Sequence, residues 1–210
     1  MSKRHTERVE RVLQVRGAFA LFTRPDSGRN KQTYVFPTPG GLRGLPQTIY
    51  HTERLEFVPL KVEILAPIRV VNVARRNLQG ITYGSNQAVK GTRDSTIYLH
   101  DVRYRITYEV KGPQDDIRRW TQRADVGAFG MSPFLGTREC LAVLEPVDDT
   151  PPVDITLFEP AMCLSNNGPL RPVYCKQGVV TYPPETREAL QNRRRGVSLE
   201  FTSIDEREGD

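Results

Sequence analysis

Residues 96–110, TIYLHDVRYRITYEV, carry the clearest strand pattern in the chain. Successive side chains of a β-strand point to opposite faces, so positions of one parity share a face. One parity here is charged at Arg103, Arg105 and Glu109. The other parity is mainly apolar and consists of Tyr98, His100, Val102, Tyr104, Ile106, Tyr108 and Val110. We therefore predict a long strand with one buried and one charged face, whose tyrosines belong to the core rather than to a base-stacking platform.

The segments before this strand predict further strands and one short helix. Residues 9–22 alternate and then become apolar, as an opening strand does. Thr38-Pro39 has the form of a helix N-cap followed by proline at the first helical position, and the helical spacing continues to Tyr50. Residues 55–71 predict one or two strands interrupted by prolines, and the polar, basic residues 72–94 predict a loop or arm.

The segments after the strand complete an alternation of strands and helices. Residues 115–124 have helical periodicity, with Asp115 and Asp116 in the first turn, where the helix dipole favours carboxylates. Residues 140–144 then predict a strand. The order strand, helix, strand, strand, helix, strand is that of a ferredoxin-like (RRM-like) α+β domain, which we place at residues 1–147.

The remainder of the chain predicts a smaller addition to this domain. Residues 148–184 are rich in proline and hold short strand candidates at 155–158, 173–175 and 178–182. They predict a small antiparallel β appendage. Residues 185–210 predict a helical or flexible tail.

The charge distribution favours nucleic acid as a partner. Residues 1–140 carry 23 Lys and Arg against 13 Asp and Glu, whereas residues 141–210 carry 7 against 12. Of the 30 basic residues 24 are arginine, whose guanidinium forks onto phosphate and stacks on bases. The pattern indicates RNA binding by the first two thirds of the chain, and the alternative is a solvated charged face.

Other features of the composition exclude several classes of protein. No apolar run approaches the ~18 residues that a membrane span needs, and the charged first residues lack the apolar segment of a secretory signal. We therefore expect a cytoplasmic protein without a membrane partner. Three cysteines without a CxxC pair and three histidines without ligand spacing predict neither a disulfide framework nor a metal site, and no cofactor is expected.

Five short segments occur in the chain in an order and spacing that point to one family. They are FTRP at 22–25, NVARRN at 72–77, DVRY at 101–104, LGTREC at 135–140 and GVVTYPP at 178–184. With them the chain resembles the CRISPR-associated fifth Cas family (Cas-five) of the RAMP superfamily, in its type I-C-like variant, from about residue 9 to residue 184. The resemblance implies a ferredoxin-like (RRM-like) RAMP domain with a C-terminal β appendage and a thumb-like arm at about 77–95.

The resemblance also implies a function. In this family the protein grips the 5′ handle of CRISPR RNA at the foot of a Cascade-type antiviral effector. Its protein partners there are a RAMP backbone subunit and the large subunit of the complex. The alternative outside the family is a stand-alone RRM-like protein that binds other RNA.

The candidate RNA contacts are mainly basic residues next to turns and glycines, where backbone amides can also approach phosphate. The candidates, including one tyrosine and the residues that precede Arg138, are Arg24, Arg43, Tyr50, Arg75, Arg76, Lys90, Arg93, Gly136, Thr137 and Arg138. Lys90 and Arg93 belong to the arm, which we expect to order against guide RNA and the backbone subunit. For Arg138 the alternative is an ion pair with Glu139 or another nearby carboxylate.

The type I-C-like variant of the family is also a metal-independent endoribonuclease that cuts the precursor repeat. The reaction needs a group that activates the 2′-hydroxyl, one that protonates the leaving oxygen and a cation for the phosphate, typically a Tyr, a Lys and a His. By resemblance, Tyr50 takes the place of the tyrosine. Asp115-Asp116 stands where the Lys-His pair is expected.

These two aspartates decide between two functions. Carboxylates beside a scissile phosphate repel it, so the sequence favours a CRISPR RNA-binding subunit with little or no cleavage. The alternative is a working processing endoribonuclease in which Lys111, His51 or His100 substitutes for the missing pair.

Overall fold

A computed structural model of the chain describes residues 6–78, 91–163 and 170–182. Eight strands and two helices form within these ranges. The strands are β1 (Thr6–Ala20), β2 (Glu56–Ile64), β3 (Arg69–Leu78), β4 (Gly91–Pro113), β5 (Ala142–Glu145), β6 (Leu157–Cys163), β7 (Leu170–Lys176) and β8 (Val179–Thr181). The helices are α1 (Pro39–Gln47), between β1 and β2, and α2 (Gln114–Asp125), between β4 and β5. Neither of these helices is long and apolar enough to cross a membrane.

The strands join one antiparallel sheet built around β4. Their order is β5-β1-β4-β2-β8-β7-β6, with β3 paired to β4 beside this path. The predicted strand at 96–110 is confirmed as part of β4, which has 23 residues. The second half of β4 lies between β1 and β2, and its first half pairs with β3. β4 therefore connects the centre of the sheet to a two-stranded ribbon.

Both helices cover the face of the sheet that carries Tyr104 and Tyr108, whose side chains are buried as predicted. The Tyr108 hydroxyl donates to the Leu42 carbonyl of α1 (2.9 Å). Trp120 of α2 lies with its ring centroid 5.3 Å from that of Phe57 in β2. The mixed α+β class is thus confirmed, with the main core between the helices and the sheet.

The polar residues 72–94 begin and end as strand rather than as loop, which corrects the prediction for these positions. β3 continues to Leu78, β4 begins at Gly91, and these two residues are the last register partners of the ribbon. Pairing supplies backbone hydrogen bonds that the local composition does not reveal. Residues 79–90, which include Lys90 and the centre of the predicted arm, lie outside the described residues.

The alternation of β4 breaks at Asp101, so that His100 is half-exposed instead of buried as predicted. Asp101 has a φ of +52°, a conformation that residues other than glycine rarely adopt. Before this residue burial no longer follows one parity. Leu99 joins the main core, whereas Tyr98 is buried in a second cluster with Leu21.

The strands of the predicted appendage continue the main sheet at one edge. β6, β7 and β8 overlap the strand candidates and are antiparallel. β8 pairs with β2, where Val180 is the register partner of Val62. The predicted tail at 185–210 lies outside the described residues, as do Pro183 and Pro184 of the GVVTYPP segment.

Candidate RNA interface

The paired ends of β3 and β4 bring predicted RNA contacts together. The register makes Arg76 and Arg93 direct cross-strand partners and makes Arg75 the partner of Asp94. The backbone register thus brings these two predicted contacts to one position of the β3–β4 ribbon, two residues before its last pair, Leu78 and Gly91.

The glycine-rich segment before β5 forms a closed loop of residues 133–141. The Leu135 amide donates to the Cys140 carbonyl (2.9 Å), and the Leu21 amide donates to the Leu135 carbonyl (3.2 Å). Gly136 has a φ of +83°, and a Cβ at this position would overlap the Leu21 carbonyl. Glycine is therefore required for the close approach that holds the 133–141 loop against the end of β1.

Arg138 is exposed in the 133–141 loop and forms no ion pair within the described residues. The adjacent Glu139 accepts a hydrogen bond from the Tyr98 hydroxyl (2.9 Å). Tyr98 is the register partner of Val71 in β3. The 133–141 loop therefore lies at the base of the β3–β4 ribbon, five residues along β3 from Arg76.

Three other predicted contacts are engaged within the protein. Arg24 forms ion pairs with Asp26 (3.1 Å) and with Glu159 (3.3 Å), and the hydrogen bond to Asp26 raises the pKa of its guanidinium. Arg43 is half-buried in α1 and interacts with the protein. The Thr137 hydroxyl donates to a cysteine sulfur (3.4 Å). These side chains therefore interact within the protein.

Tyr50 lies in the connection between α1 and β2, residues 48–55, which we call the Tyr50 loop. α1 begins where predicted, since the Thr38 hydroxyl accepts a hydrogen bond from the Gly41 amide (3.1 Å). It ends at Gln47 instead of Tyr50. The reason is that the Thr48 amide bonds the Leu45 carbonyl (3.1 Å), three residues back, which tightens the last turn and closes the helix.

The start of the Tyr50 loop is held by α2 and by the residues that follow α2. The Thr48 carbonyl accepts hydrogen bonds from the amides of residues 130–131 (2.8 Å and 3.1 Å). Arg123 donates from Nε to the Ile49 carbonyl (3.0 Å). Tyr50 itself is half-buried against the main core. The tyrosine is thus placed on a fixed backbone with part of its surface open to solvent.

The two aspartates at the start of α2 have different surroundings. Asp115 is exposed. Asp116 is fully buried, and its two carboxylate oxygens lie 2.8 Å and 2.7 Å from Nη2 of Arg54. The charge of Asp116 is therefore balanced inside the protein. This corrects the expectation that both carboxylates would repel a bound phosphate.

The three proposed substitutes for the Lys-His pair are also placed differently. Lys111 is buried and pairs with Glu109 (2.8 Å). His100 lies on the sheet, where its Nδ1 is 3.0 Å from the Asp101 carboxylate. His51 is exposed and follows Tyr50 directly in the loop. Of the three, His51 is the one that the structure places beside the tyrosine.

Arg54 is the residue of this region that sequence reasoning missed. It belongs to the Tyr50 loop, and its acidic partner Asp116 is 62 residues further along the chain. No local pattern marks such a pair. The one available signal was the position of Arg54, four residues after Tyr50.

The fold defines a class: a small α+β protein with an antiparallel sheet, two helices on one face and a two-stranded ribbon whose strands both carry arginine. The particular family follows from the sequence comparison. The chain belongs to the Cas5 family of CRISPR-associated proteins, because the family model Cas_Cas5d, described as CRISPR-associated protein (Cas_Cas5), matches residues 12–202. The resemblance to the fifth Cas family is confirmed.

Two curated relatives and one solved structure illustrate the relationship. A CRISPR pre-crRNA endoribonuclease Cas5d of Thermus thermophilus is 25% identical over 150 residues, which cover 67% of this chain and 65% of the relative. The protein of the same name from Mannheimia succiniciproducens is 27% identical over 170 residues, covering 69% and 75%. A crystal structure of a CRISPR-associated protein superposes with a TM-score of 0.59 at 21% identity, over 87% of this chain and 96% of that one. This last similarity concerns the fold.

Proposed function

We propose that this chain is a CRISPR RNA-binding subunit of a Cascade-type antiviral effector in the cytoplasm, where it grips the 5′ handle of the guide RNA. The observation that carries the proposal is the register pairing of Arg76 with Arg93 on the ribbon, together with the exposed Arg138 in the loop at the base of the ribbon, in a chain of the Cas5 family. The RAMP backbone subunit and the large subunit of the effector are its protein partners.

We also propose the finer fold assignment, a ferredoxin-like (RRM-like) RAMP domain at residues 1–147 with the strands of 148–184 as its appendage. The sheet order β5-β1-β4-β2 supports it, with one helix after β1 and one after β4. Those four strands and two helices follow the ferredoxin-like sequence of elements. The β3–β4 ribbon is then an extension that carries the arm at 77–95 and its arginines away from the sheet.

The second candidate function is cleavage of precursor CRISPR RNA at the Tyr50 loop. Two observations favour it: both curated relatives are named pre-crRNA endoribonucleases, and Asp116 is neutralised by Arg54. In such a reaction the 2′-oxygen attacks phosphorus, the bond to the 5′-oxygen breaks, and the leaving oxygen takes up a proton. Tyr50 and the adjacent His51 are the groups of the loop that can exchange protons with these oxygens.

RNA binding is tested with the double variant Arg75→Ala/Arg76→Ala and the precursor repeat RNA of the array that accompanies the gene. The wild-type chain should bind this RNA more tightly than a scrambled sequence. Loss of two phosphate contacts on a single strand should lower the salt slope of binding by about 1.4. The control is Arg16→Ala, which removes an exposed arginine already paired with Glu145 (2.9 Å) and should leave the slope unchanged. Equal slopes for wild type and the double variant would reject the ribbon as the binding surface.

Cleavage is tested with the same RNA in EDTA. If the Tyr50 loop is a processing site, the wild-type chain cuts the repeat, and Tyr50→Phe slows cleavage by about 100-fold or more while RNA binding persists. If the chain only binds RNA, no product forms. In that case Tyr50→Ala weakens binding by about 1–3 kcal/mol, as expected for a lost base stack.

A further inference from the structure

Arg54 combines a buried anchor with an exposed guanidinium. Its carboxylate partner Asp116 is 0% exposed, whereas the Arg54 side chain is 50% exposed. Both Asp116 oxygens are within hydrogen-bond distance of one nitrogen, Nη2. The remaining donors of Arg54, on Nη1 and Nε, bond no side chain or backbone carbonyl in the ranges that the structure describes. A guanidinium carries five N–H donors, so donors remain for a ligand on this half-exposed side chain.

The backbone that carries Arg54 is fixed as firmly as its side chain. A Cβ at Gly112 would lie 2.7 Å from the Arg54 carbonyl oxygen and 2.7 Å from Leu55. Glycine at this end of β4 therefore lets the Tyr50 loop approach closely. α2 thus holds the loop at both ends, through Asp116 in its first turn and through Arg123 in its last.

We propose that Arg54 is a phosphate-binding residue of the Tyr50 loop and that Asp116 is its positioning residue. This inference rests on the proposed RNA-binding function and adds a contact to it. A guanidinium that is already oriented loses less conformational entropy when it binds an oxyanion, and its planar donors match the oxygens of phosphate. The arrangement also accounts for Asp116, which stands where the resemblance predicts a Lys-His pair. Its buried carboxylate orients the guanidinium of Arg54 and does not contact the RNA.

The neighbouring residues Asp115 and Asp116 allow a test by the direction in which RNA affinity changes. Asp115→Asn and Asp116→Asn each remove one negative charge from adjacent positions of α2. Long-range electrostatics alone predicts that both variants bind RNA more tightly. If Asp116 positions Arg54, Asp116→Asn binds RNA more weakly although the protein has become more positive, whereas Asp115→Asn does not lose affinity.

The experiment measures binding of the precursor repeat RNA over a range of salt concentrations for wild type, Arg54→Ala, Arg54→Lys, Asp116→Asn, Asp115→Asn and the double variant Arg54→Ala/Asp116→Asn. We expect Arg54→Ala to weaken binding about tenfold and to lower the salt slope by about 0.7, one phosphate contact. Arg54→Lys should fall in between, since it keeps the charge without the planar fork. The double variant should bind like Arg54→Ala, because Asp116 acts through Arg54.

Each outcome decides. Wild-type affinity and slope in Arg54→Ala overturn the inference while the proposed function stands. A further loss in the double variant beyond Arg54→Ala shows that Asp116 is merely structural. If Arg54→Ala does not fold, the two aspartate variants decide: weaker binding by Asp116→Asn alone supports the inference, and equal or tighter binding by Asp116→Asn overturns it. If the wild-type chain does not prefer repeat RNA over a scrambled RNA, the proposed function fails and this contact fails with it.

Discussion

Two groups of arginines, one on the strands of the sheet and one in the loops beside it, have different surroundings. In the first group Arg16, Arg103 and Arg105 face acidic side chains of neighbouring strands and of the segment after β5. In the second group Arg138 is exposed without an ion pair in the described part of the chain, and the half-exposed Arg54, although paired with Asp116, keeps N–H donors that bond nothing there. The first group uses its guanidinium groups within the protein, whereas the second leaves an unpaired charge on Arg138 and free donors on Arg54 for a ligand.

The first group and its partners form what we call the sheet ion-pair network. Its members are Arg16, Lys61, Glu63, Arg103, Arg105, Glu145 and Asp148. Arg103 contacts Glu145 (2.8 Å) and Asp148 (2.7 Å), which joins β4 to the segment after β5. Arg105 contacts Glu63 (2.5 Å) and donates to the Thr150 carbonyl (2.9 Å). Three carboxylates thus offset three of the four cations.

The difference between the groups shows why a count of arginines overestimates the positive charge that is available to bind nucleic acid. Arg103 and Arg105 contribute to the net positive charge of residues 1–140 as much as Arg138 does. Their partners Glu145 and Asp148, however, lie in the acidic last third of the chain. Folding therefore cancels part of the charge asymmetry that the sequence shows.

The largest effect that separates the two groups is expected from Arg105→Met. Arg105 is 15% exposed and its partner Glu63 is 13% exposed, so the variant leaves a largely buried carboxylate with Lys61 alone. Removing one partner of such a pair should lower the free energy of unfolding by about 2 kcal/mol. Urea unfolding measures the loss. RNA affinity of the folded variant should equal that of wild type, and a loss of affinity without a loss of stability would contradict the division into two groups.

A smaller effect, of the opposite kind, is expected from Arg138→Ala. The side chain is exposed and unpaired within the described residues, so stability should change by less than about 0.5 kcal/mol. Binding of repeat RNA should weaken about tenfold, or about 1.4 kcal/mol, with a salt slope lower by about 0.7. Filter binding at several salt concentrations provides both values. Arg138→Lys is the matched control and should recover part of the affinity, since it restores the charge.

Elements that depend on local pattern could be predicted from the sequence. The alternation of residues 96–110 predicted the strand that is part of β4, and Thr38-Pro39 predicted the start of α1. Both signals are local, because strand parity and helix capping involve residues that are near neighbours in the sequence. The family was likewise accessible through short segments such as LGTREC, in which Gly136 is required by the close approach of the Leu21 carbonyl.

Features that depend on distant partners could not be predicted. The segment predicted as a loop or arm at 72–94 is strand at both ends, because β3 gains its stability from pairing with β4, which composition does not show. The role of Asp116 depends on Arg54, and that of Arg24 depends on Glu159, 135 residues away. In each case the sequence shows a charge, and only the fold shows what the charge faces.

The smallest effect is the change in stability of Asp148→Asn at low pH. It tests whether Asp148 belongs to the sheet ion-pair network. The hydroxyl and amide of Thr150, together with Gln14 and Arg103, hold the pKa of Asp148 well below its usual range. A carboxylate with a depressed pKa stabilises the fold fully above about pH 4, where the unfolded chain is ionised, and loses this contribution as the pH falls towards the folded pKa. Asp148→Asn should therefore be less stable than wild type at neutral pH, and the difference should shrink as the pH falls below about 4.

Thermal unfolding of both proteins at about pH 7, 4 and 3 measures this convergence. The effect is small because Asp148 is exposed enough for water and salt to screen its ion pairs. Asp154→Asn, at an exposed aspartate with no ion pair in the described part of the chain, is the control, and its stability should differ from that of wild type by the same amount at each pH. If the stability difference between Asp148→Asn and wild type is also the same at each pH, Asp148 does not contribute through the network. The segment after β5 is then held by the Arg103–Glu145 pair and by the hydrogen bonds of Arg105 to backbone carbonyls alone.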